Sequence, residues 1–160
     1  MCDLPAIARI AAQAWRWAYV DILPAAFIEE RCDLEERVQR MTETWRESRL
    51  TLLACDEDGT PQGFVNDQIP CSLSGCDAEI GALYVGPTSA RQGVGKLLVK
   101  AMAQTFLDKG HRSMAIQTLA ENAIGRSFYE KIGGRLAGEG KWYEFPTVWY
   151  GWDDLSAVRL

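Results

Sequence analysis

Residues 79–87 read Glu79-Ile80-Gly81-Ala82-Leu83-Tyr84-Val85-Gly86-Pro87, and residues 91–98 read Arg91-Gln92-Gly93-Val94-Gly95-Lys96-Leu97-Leu98. The first run has the apolar and aromatic content of a strand; the second opens on glycines and continues as an amphipathic helix. Two glycines one residue apart let successive backbone N–H groups converge, and a helix start adds unpaired donors and the positive end of its dipole. Strand, glycine turn and helix start in this order suit phosphate oxygens. An isolated Gly-x-Gly is usually a turn without a ligand, so the rest of the chain has to decide.

Two better-known phosphate loops fail on single residues. A Walker A loop needs glycine where Ala90 stands and Ser or Thr where Leu97 stands. A Rossmann fingerprint needs a third glycine where Leu98 stands.

Working outward, residues 4–20 place Ile7, Ile10, Ala14 and Ala18 at helical spacing behind Asp3 as N-cap. Pro24 opens a short helical piece. Asp33 and Glu36 form a capping-box pattern ahead of Leu34, Val38, Met41 and Trp45 on one helical face. Residues 50–55 are strand-like, and Asp58-Gly59 turns the chain into a second strand over 63–69. Residues 78–85 make a third. The helix after Gly95 exposes Lys96, Lys100, Gln104 and Asp108, buries Leu98, Ala101, Met102 and Thr105 or Phe106, and ends at Gly110. A short strand over 113–118 precedes a helix from about Asn122, with Ile124, Phe128 and Ile132 on one stripe. Two strands near 135–145 and 147–152 close the chain. The order predicts an α+β fold with a mixed, mostly antiparallel central sheet and flanking helices.

At 160 residues, 48% hydrophobic and 24% charged, the chain is of ordinary globular composition and fits a single domain over 1–160. No apolar run approaches the ~20 residues of a membrane span, and the N-terminus lacks the basic and apolar regions of an export signal. The expected location is the cytoplasm, with no membrane partner. A net charge of -5 argues against nucleic acid, which needs a basic face, and favours a neutral or cationic substrate. Five cysteines are scattered, and His111 is the only histidine, so no metal site is expected and the thiols are taken as reduced.

The phosphate-loop residues Ala90-Arg91-Gln92-Gly93-Val94-Gly95, following Tyr84-Val85-Gly86-Pro87, resemble the loop of the GNAT superfamily of acetyl-CoA-dependent N-acetyltransferases. That loop has the form Gln/Arg-x-x-Gly-x-Gly/Ala, and Ala90 departs from its first position. A second family pattern, Asn-x-x-Ala-x-x-x-Tyr-x-Lys-x-Gly-Phe, is matched by Asn122, Tyr129, Lys131 and Gly133, with Gly125 in place of Ala and Gly134 in place of Phe. Gly125 should weaken its helix by up to ~1 kcal/mol relative to alanine. The resemblance covers nearly the whole chain. It implies acetyl-CoA as cosubstrate, bound by the backbone of Arg91, Gln92, Gly93, Val94, Gly95 and Lys96. The pantetheine would pair with strand backbone at Leu83, Tyr84 and Val85, where the strands over 79–85 and 113–118 splay apart. The strand that precedes the first helix in the family is expected to be missing here or reduced to a very short segment, which would leave an open sheet edge and makes a homodimer one expectation.

The resemblance also assigns chemistry. Tyr129 matches the family tyrosine that protonates the departing sulfur, against the plainer reading of a core tyrosine next to Phe128. Asn122 contacts the pantetheine, caps its helix, or does both. Glu79 stands where histone-type members of the superfamily carry a catalytic glutamate, and is the candidate base. Strict alternation would put Glu79 on one face with Gly81, Leu83 and Val85, among apolar neighbours that favour a protonated carboxyl; the alternative is a solvated strand-end carboxylate. Asp67 and Glu144 are further carboxylates expected near the cleft. Trp15, Trp17 and Tyr19 are expected on its far wall, although Trp15 and Trp17 cannot share one helical face. Trp142 and Tyr143 are expected at its border, and His111 is expected to be solvated. The function expected is acetyl transfer to a primary amine by direct attack in a ternary complex, the alternative being a non-catalytic coenzyme-A sensor on the same fold. Peptide N-terminus, lysine, polyamine, aminoglycoside and amino-acid analogue all remain open as acceptors.

Overall fold

A computed structural model describes residues 4–44 and 49–158. Its elements are helices α1 (Leu4–Ala18), α2 (Ala25–Cys32) and α3 (Leu34–Thr44), then strands β1 (Thr51–Cys55), β2 (Pro61–Gln68) and β3 (Ala78–Val85). After these come α4 (Val94–Asp108), β4 (Met114–Leu119), α5 (Ala123–Lys131), β5 (Arg135–Trp142) and β6 (Phe145–Trp152). The expected order of elements is the observed one. Asp3 and Trp45 lie outside the described residues.

The six strands form one sheet in the order β1-β2-β3-β4-β6-β5, antiparallel everywhere except between β3 and β4. Among the described residues no strand precedes α1, and β1 is an open edge.

One face of the sheet packs on α4, whose Leu98, Val99, Met102 and Phe106 meet Val65, Ala78, Ile80, Met114 and Ile116. Each such side chain, fully buried, contributes roughly 1.5–3 kcal/mol. The other face receives α1 and α2, through Ile7, Ile10 and Ala11 against Phe64, and through Trp15, Ile28 and Cys32 against Leu119. As the spacing predicts, Lys96, Lys100, Gln104 and Asp108 face solvent.

Two faces differ from expectation. Leu34 is 44% exposed; α3 turns inward Arg37, whose guanidinium lies 5.1 Å from the Trp15 ring. Ile124 is 47% exposed, because Tyr129 and Ile132 carry the buried side of α5. Asp33 caps α3 as predicted, accepting from the Glu36 N–H at 2.9 Å.

The parallel seam between β3 and β4 is short. Ala78, Glu79 and Ile80 pair with Met114, Ala115 and Ile116, and the ladder stops there while both strands continue. The two strands therefore diverge, as expected, and β3 backbone groups beyond Ile80 that point away from β2 have no ladder partner. β3 is also bulged. Asn66 pairs with Ala82 and Asp67 with Ile80, so Gly81 is the extra residue. The bulge shifts the alternation by one place. Ile80, Leu83 and Val85 join the α4 core, whereas Ala82 and Tyr84 face α1.

Candidate active site

The loop from β3 into α4 is built around two left-handed residues, Arg91 at φ 64° and Gly93 at φ 88°. Flanking Gln92, they turn successive N–H groups toward one point. Gly93 is the N-cap of α4 and has no side chain to bond the first helical turn. The N–H groups of Val94, Gly95 and Lys96 therefore stay open. That turn holds no acidic residue, and it carries the cation of Lys96. A cation at the positive end of a helix is unfavourable unless an anion sits between them. Gln92 Nε2 braces the loop by donating to the Thr88 carbonyl at 2.8 Å. Gly95 has a different role from Gly93: a Cβ there would lie 3.3 Å from the Phe128 ring, so its smallness lets α4 and α5 approach.

Beyond the end of the seam, on the α1 side, lies a cleft of about 390 Å³. Its walls include Trp15 from α1 and Tyr19 just after it, Glu79 and Tyr84 from β3, Gln117 from β4 and Trp142 from β5. A larger groove of about 610 Å³ runs between β1 and α4, but apart from the Thr51 hydroxyl its lining is Leu and Ala, with no ionisable side chain. The smaller cleft is the better candidate on chemical grounds.

Glu79 is 6% exposed. Its carboxylate accepts from the Ser72 N–H at 2.9 Å and from Gln68 Nε2 at 3.3 Å. Because of the Gly81 bulge it shares the cleft with Tyr84 and not a face with Leu83 and Val85. Its partners are hydrogen-bond donors, so the expected apolar surroundings are corrected. The other two carboxylates are elsewhere. Asp67 is buried behind β2, accepting from the Leu50 N–H at 2.9 Å with Lys109 Nζ at 3.8 Å. Glu144 is exposed in the β5–β6 turn.

Tyr129 is 7% exposed, packed edge-on to Phe128 and Trp152 and tilted against Tyr150. Among the described residues its hydroxyl has no hydrogen-bond partner. Burial, with a smaller contribution from nearby Tyr84, pushes its pKa well above the usual phenol value, so it stays a neutral donor. Tyr84 accepts from Trp15 Nε1 at 2.9 Å. Burial raises its pKa too, opposed by the Trp15 hydrogen bond and the charge of Arg37.

Asn122 uses its side chain inside the protein. Its Oδ1 caps α5 through the Gly125 N–H at 3.0 Å, and its Nδ2 donates to Thr118 Oγ1 at 3.0 Å. A Cβ on Gly125 would lie 2.5 Å from that amide. The glycine that weakens the helix thus makes room for its cap. Gly134 has a similar explanation, because a Cβ there would meet the Trp152 ring at 2.7 Å.

Of the aromatic residues expected at the cleft, Trp15, Tyr19 and Trp142 line it, while Trp17 points outward at 40% exposed. His111 lies at the far end of β4, edge-on to Phe106. Sequence reasoning missed Gln117 and Thr147, bonded to each other at 2.8 Å, and the hydroxyl of Tyr84. Tyr84 was hidden by the bulge; Gln117, a long polar side chain inside the otherwise mostly apolar β4, was a readable signal.

A loop with converging backbone N–H groups, a splayed pair of strands and a cleft with a carboxylate together suit a phosphorylated carrier feeding a group to a second molecule. Comparison with known proteins agrees. The model of the acetyltransferase (GNAT) family matches residues 11–134. An uncharacterized N-acetyltransferase of Bacillus subtilis, YuaI, is 26% identical, over 98% of this chain and 91% of that protein. The spermidine N(1)-acetyltransferase of Thermoplasma acidophilum is 25% identical, over 84% of this chain and 83% of that protein. The crystal structure of the PaiA N-acetyltransferase of T. acidophilum, in complex with coenzyme A, superposes with a TM-score of 0.70 at 24% identity, over 94% of this chain and 93% of that one. The chain belongs to the GNAT family and is an N-acetyltransferase.

Proposed function

We propose that the protein transfers the acetyl group of acetyl-CoA to a primary amine of a small, cationic molecule or peptide, by direct attack in a ternary complex. The observation that carries this reading is the placement of the end of the β3–β4 seam, between the phosphate loop and the cleft of Glu79, Tyr84 and Trp142. In this reading the backbone of residues 91–96 holds the pyrophosphate, helped by Arg91 and Lys96. The pantetheine pairs with the unladdered backbone of Leu83, Tyr84 and Val85, and the acceptor enters from the α1 side. Asn122 acts behind the pantetheine, by fixing the start of α5 to β4.

The amine lone pair attacks the thioester carbonyl carbon, forming the C–N bond. Glu79 takes the amine proton, directly or through a water, and its bonds to Ser72 and Gln68 fix its direction. As the C–S bond breaks, the hydroxyl of Tyr129 gives its proton to the thiolate and recovers one from solvent. A backbone N–H in β3 beyond the bulge faces the developing oxyanion. Alignment of amine and thioester supplies several kcal/mol of the barrier reduction.

The acceptor class rests on the net charge of -5, on the carboxylate and rings of the cleft, and on a relative that acts on spermidine. Cys32, Cys55, Cys71 and Cys76 are free thiols, which fits the cytoplasm. The catalytic unit is taken as 1–160, and the open β1 edge gives a second copy a place to pair. Thiol release from acetyl-CoA, measured across a panel of polyamines, aminoglycosides, amino acids and peptides, tests the function. Release with cationic amines and acetylated product by mass spectrometry is expected. Preference for an anionic acceptor would overturn the acceptor class, and coenzyme A binding without turnover of any amine would overturn the catalytic reading.

A further inference from the structure

Arg31, in the last turn of α2, is enclosed by aromatic rings from two elements. Its guanidinium carbon lies 5.3 Å from the ring centre of Phe27, 5.9 Å from Trp142 and 5.1 Å from Tyr143. One guanidinium nitrogen, Nη2, donates to the Tyr143 hydroxyl at 2.6 Å. Another, Nε, is buried with no partner among the described residues. The stacking and the single hydrogen bond therefore hold the group in place. The position of Arg31 is itself anchored from α3, because its carbonyl accepts from Arg37 Nε at 2.8 Å and from Arg40 Nη2 at 3.3 Å.

What Arg31 grips is the tip of the β5–β6 hairpin. β5 is an edge strand whose ladder runs to β6 alone. Tyr143, in the turn, has a left-handed backbone at φ 53° and is 61% exposed. Such a turn has little of its own to fix it. Its neighbour Trp142 nevertheless has to stand in one place, since it forms a wall of the cleft and meets Trp15 edge-on at 5.7 Å. Phe27, packed at 5.6 Å from Trp142 and 6.0 Å from Tyr143, completes the grip from α2.

We propose that Arg31 is a positioning residue for acceptor recognition. Clasped between α2 and the β5–β6 hairpin, it sets the place of Trp142 and so the shape of the acceptor cleft, which Arg31 does not itself line. The proposal rests on reading that cleft as the acceptor site. It predicts a split between the two substrates: the acceptor feels the loss of the clasp, and acetyl-CoA, held on the far side of the sheet opening, does not.

The test is steady-state kinetics with an accepted amine on Arg31→Ala, Arg31→Lys and Tyr143→Phe, with calorimetric binding of acetyl-CoA and thermal melting. Arg31→Ala is expected to raise the acceptor KM about tenfold, a loss of the size that several cation–ring contacts provide. The acetyl-CoA affinity and kcat at saturation should stay within about twofold, the scatter of such contacts. Arg31→Lys, which keeps the charge in the cage, should recover part of the loss, and Tyr143→Phe, which keeps the ring, should fall between parent and Arg31→Ala. A parental acceptor KM in Arg31→Ala would overturn the clasp, as would an equal weakening of both substrates with a lower melting temperature. Glu79→Gln separates the two levels. Impaired turnover there with parental kinetics in Arg31→Ala removes the clasp alone, whereas parental kinetics in both remove the cleft assignment.

Discussion

Tyr129 and Glu79 owe their proposed roles to opposite surroundings. Aromatic rings enclose Tyr129 and, among the described residues, leave its hydroxyl without a hydrogen-bond partner, so in the proposed mechanism a departing thiolate would meet a donor with no competing acceptor. Tyr129→Phe removes one oxygen from a packed ring and should leave acetyl-CoA affinity intact. Turnover is expected to fall by roughly 10²–10⁴-fold, the usual contribution of a positioned general acid. Equal turnover in a folded variant, with chemistry shown to limit the rate, would return Tyr129 to a packing role. Glu79 is instead held by two donors and lines the cleft it shares with Tyr84 and Trp142. Glu79→Gln keeps the shape but not the capacity to take a proton; the same roughly 10²–10⁴-fold loss is expected, with unchanged calorimetric binding of acetyl-CoA. A coenzyme-A affinity that falls with turnover would show that the side chain works on the other substrate. Both residues were legible in the sequence by position. Their surroundings were not, because the contacts of Glu79 come from Gln68 and Ser72, which only the folded 68–79 connection brings back to it.

At the scale of the element, a single extra residue decides what β3 does. Strict alternation would send Glu79 with Leu83 and Val85 into the α4 core; the Gly81 bulge lets the same strand supply a core on one side and a cleft on the other. Nothing in the run Ile80-Gly81-Ala82 announces the shift except the glycine, which a sequence reading also accepts inside a regular strand. The phosphate loop was more legible, because glycines and a helix start have local causes. There Arg91 keeps a left-handed backbone that costs a non-glycine residue roughly 1–2 kcal/mol. Arg91→Gly should therefore leave the melting temperature unchanged or higher, yet weaken acetyl-CoA by calorimetry through the lost charge. Gly93→Val should weaken binding strongly, since a β-branched residue at φ 88° moves the donors; a parental affinity would show that the loop does not hold the pyrophosphate. The paired glycines act differently, and only the contact of Gly95 with Phe128, far away in sequence, reveals it.

For the whole molecule, element order, fold class and the face of α4 follow from period and punctuation in the chain, while the aromatic clustering around Trp142 depends on contacts between α1, α2 and the last hairpin that no local pattern encodes. Burial of phenols has a global consequence. Tyr19, Tyr84 and Tyr129 all have raised pKa values, burial being the largest cause in each. The folded state prefers these phenols neutral. Their contribution is complete below about pH 10, the ordinary unfolded value, and is lost as pH rises from there through the folded values. Melting temperature should drop from about pH 10 upward, less steeply in Tyr129→Phe; parallel slopes would show that Tyr129 does not titrate with unfolding. The short seam has a different consequence. Among the described residues three pairs lace one half of the sheet to the other, and the β3 backbone groups beyond them that point away from β2 have no ladder partner. Under the proposed binding mode, a pantetheine lying there would complete the sheet as a missing strand would. Amide hydrogen exchange over 82–85 should slow on adding coenzyme A, while amides of α2 keep their rates. On that binding mode the stiffness of the folded sheet would follow the coenzyme A concentration around it.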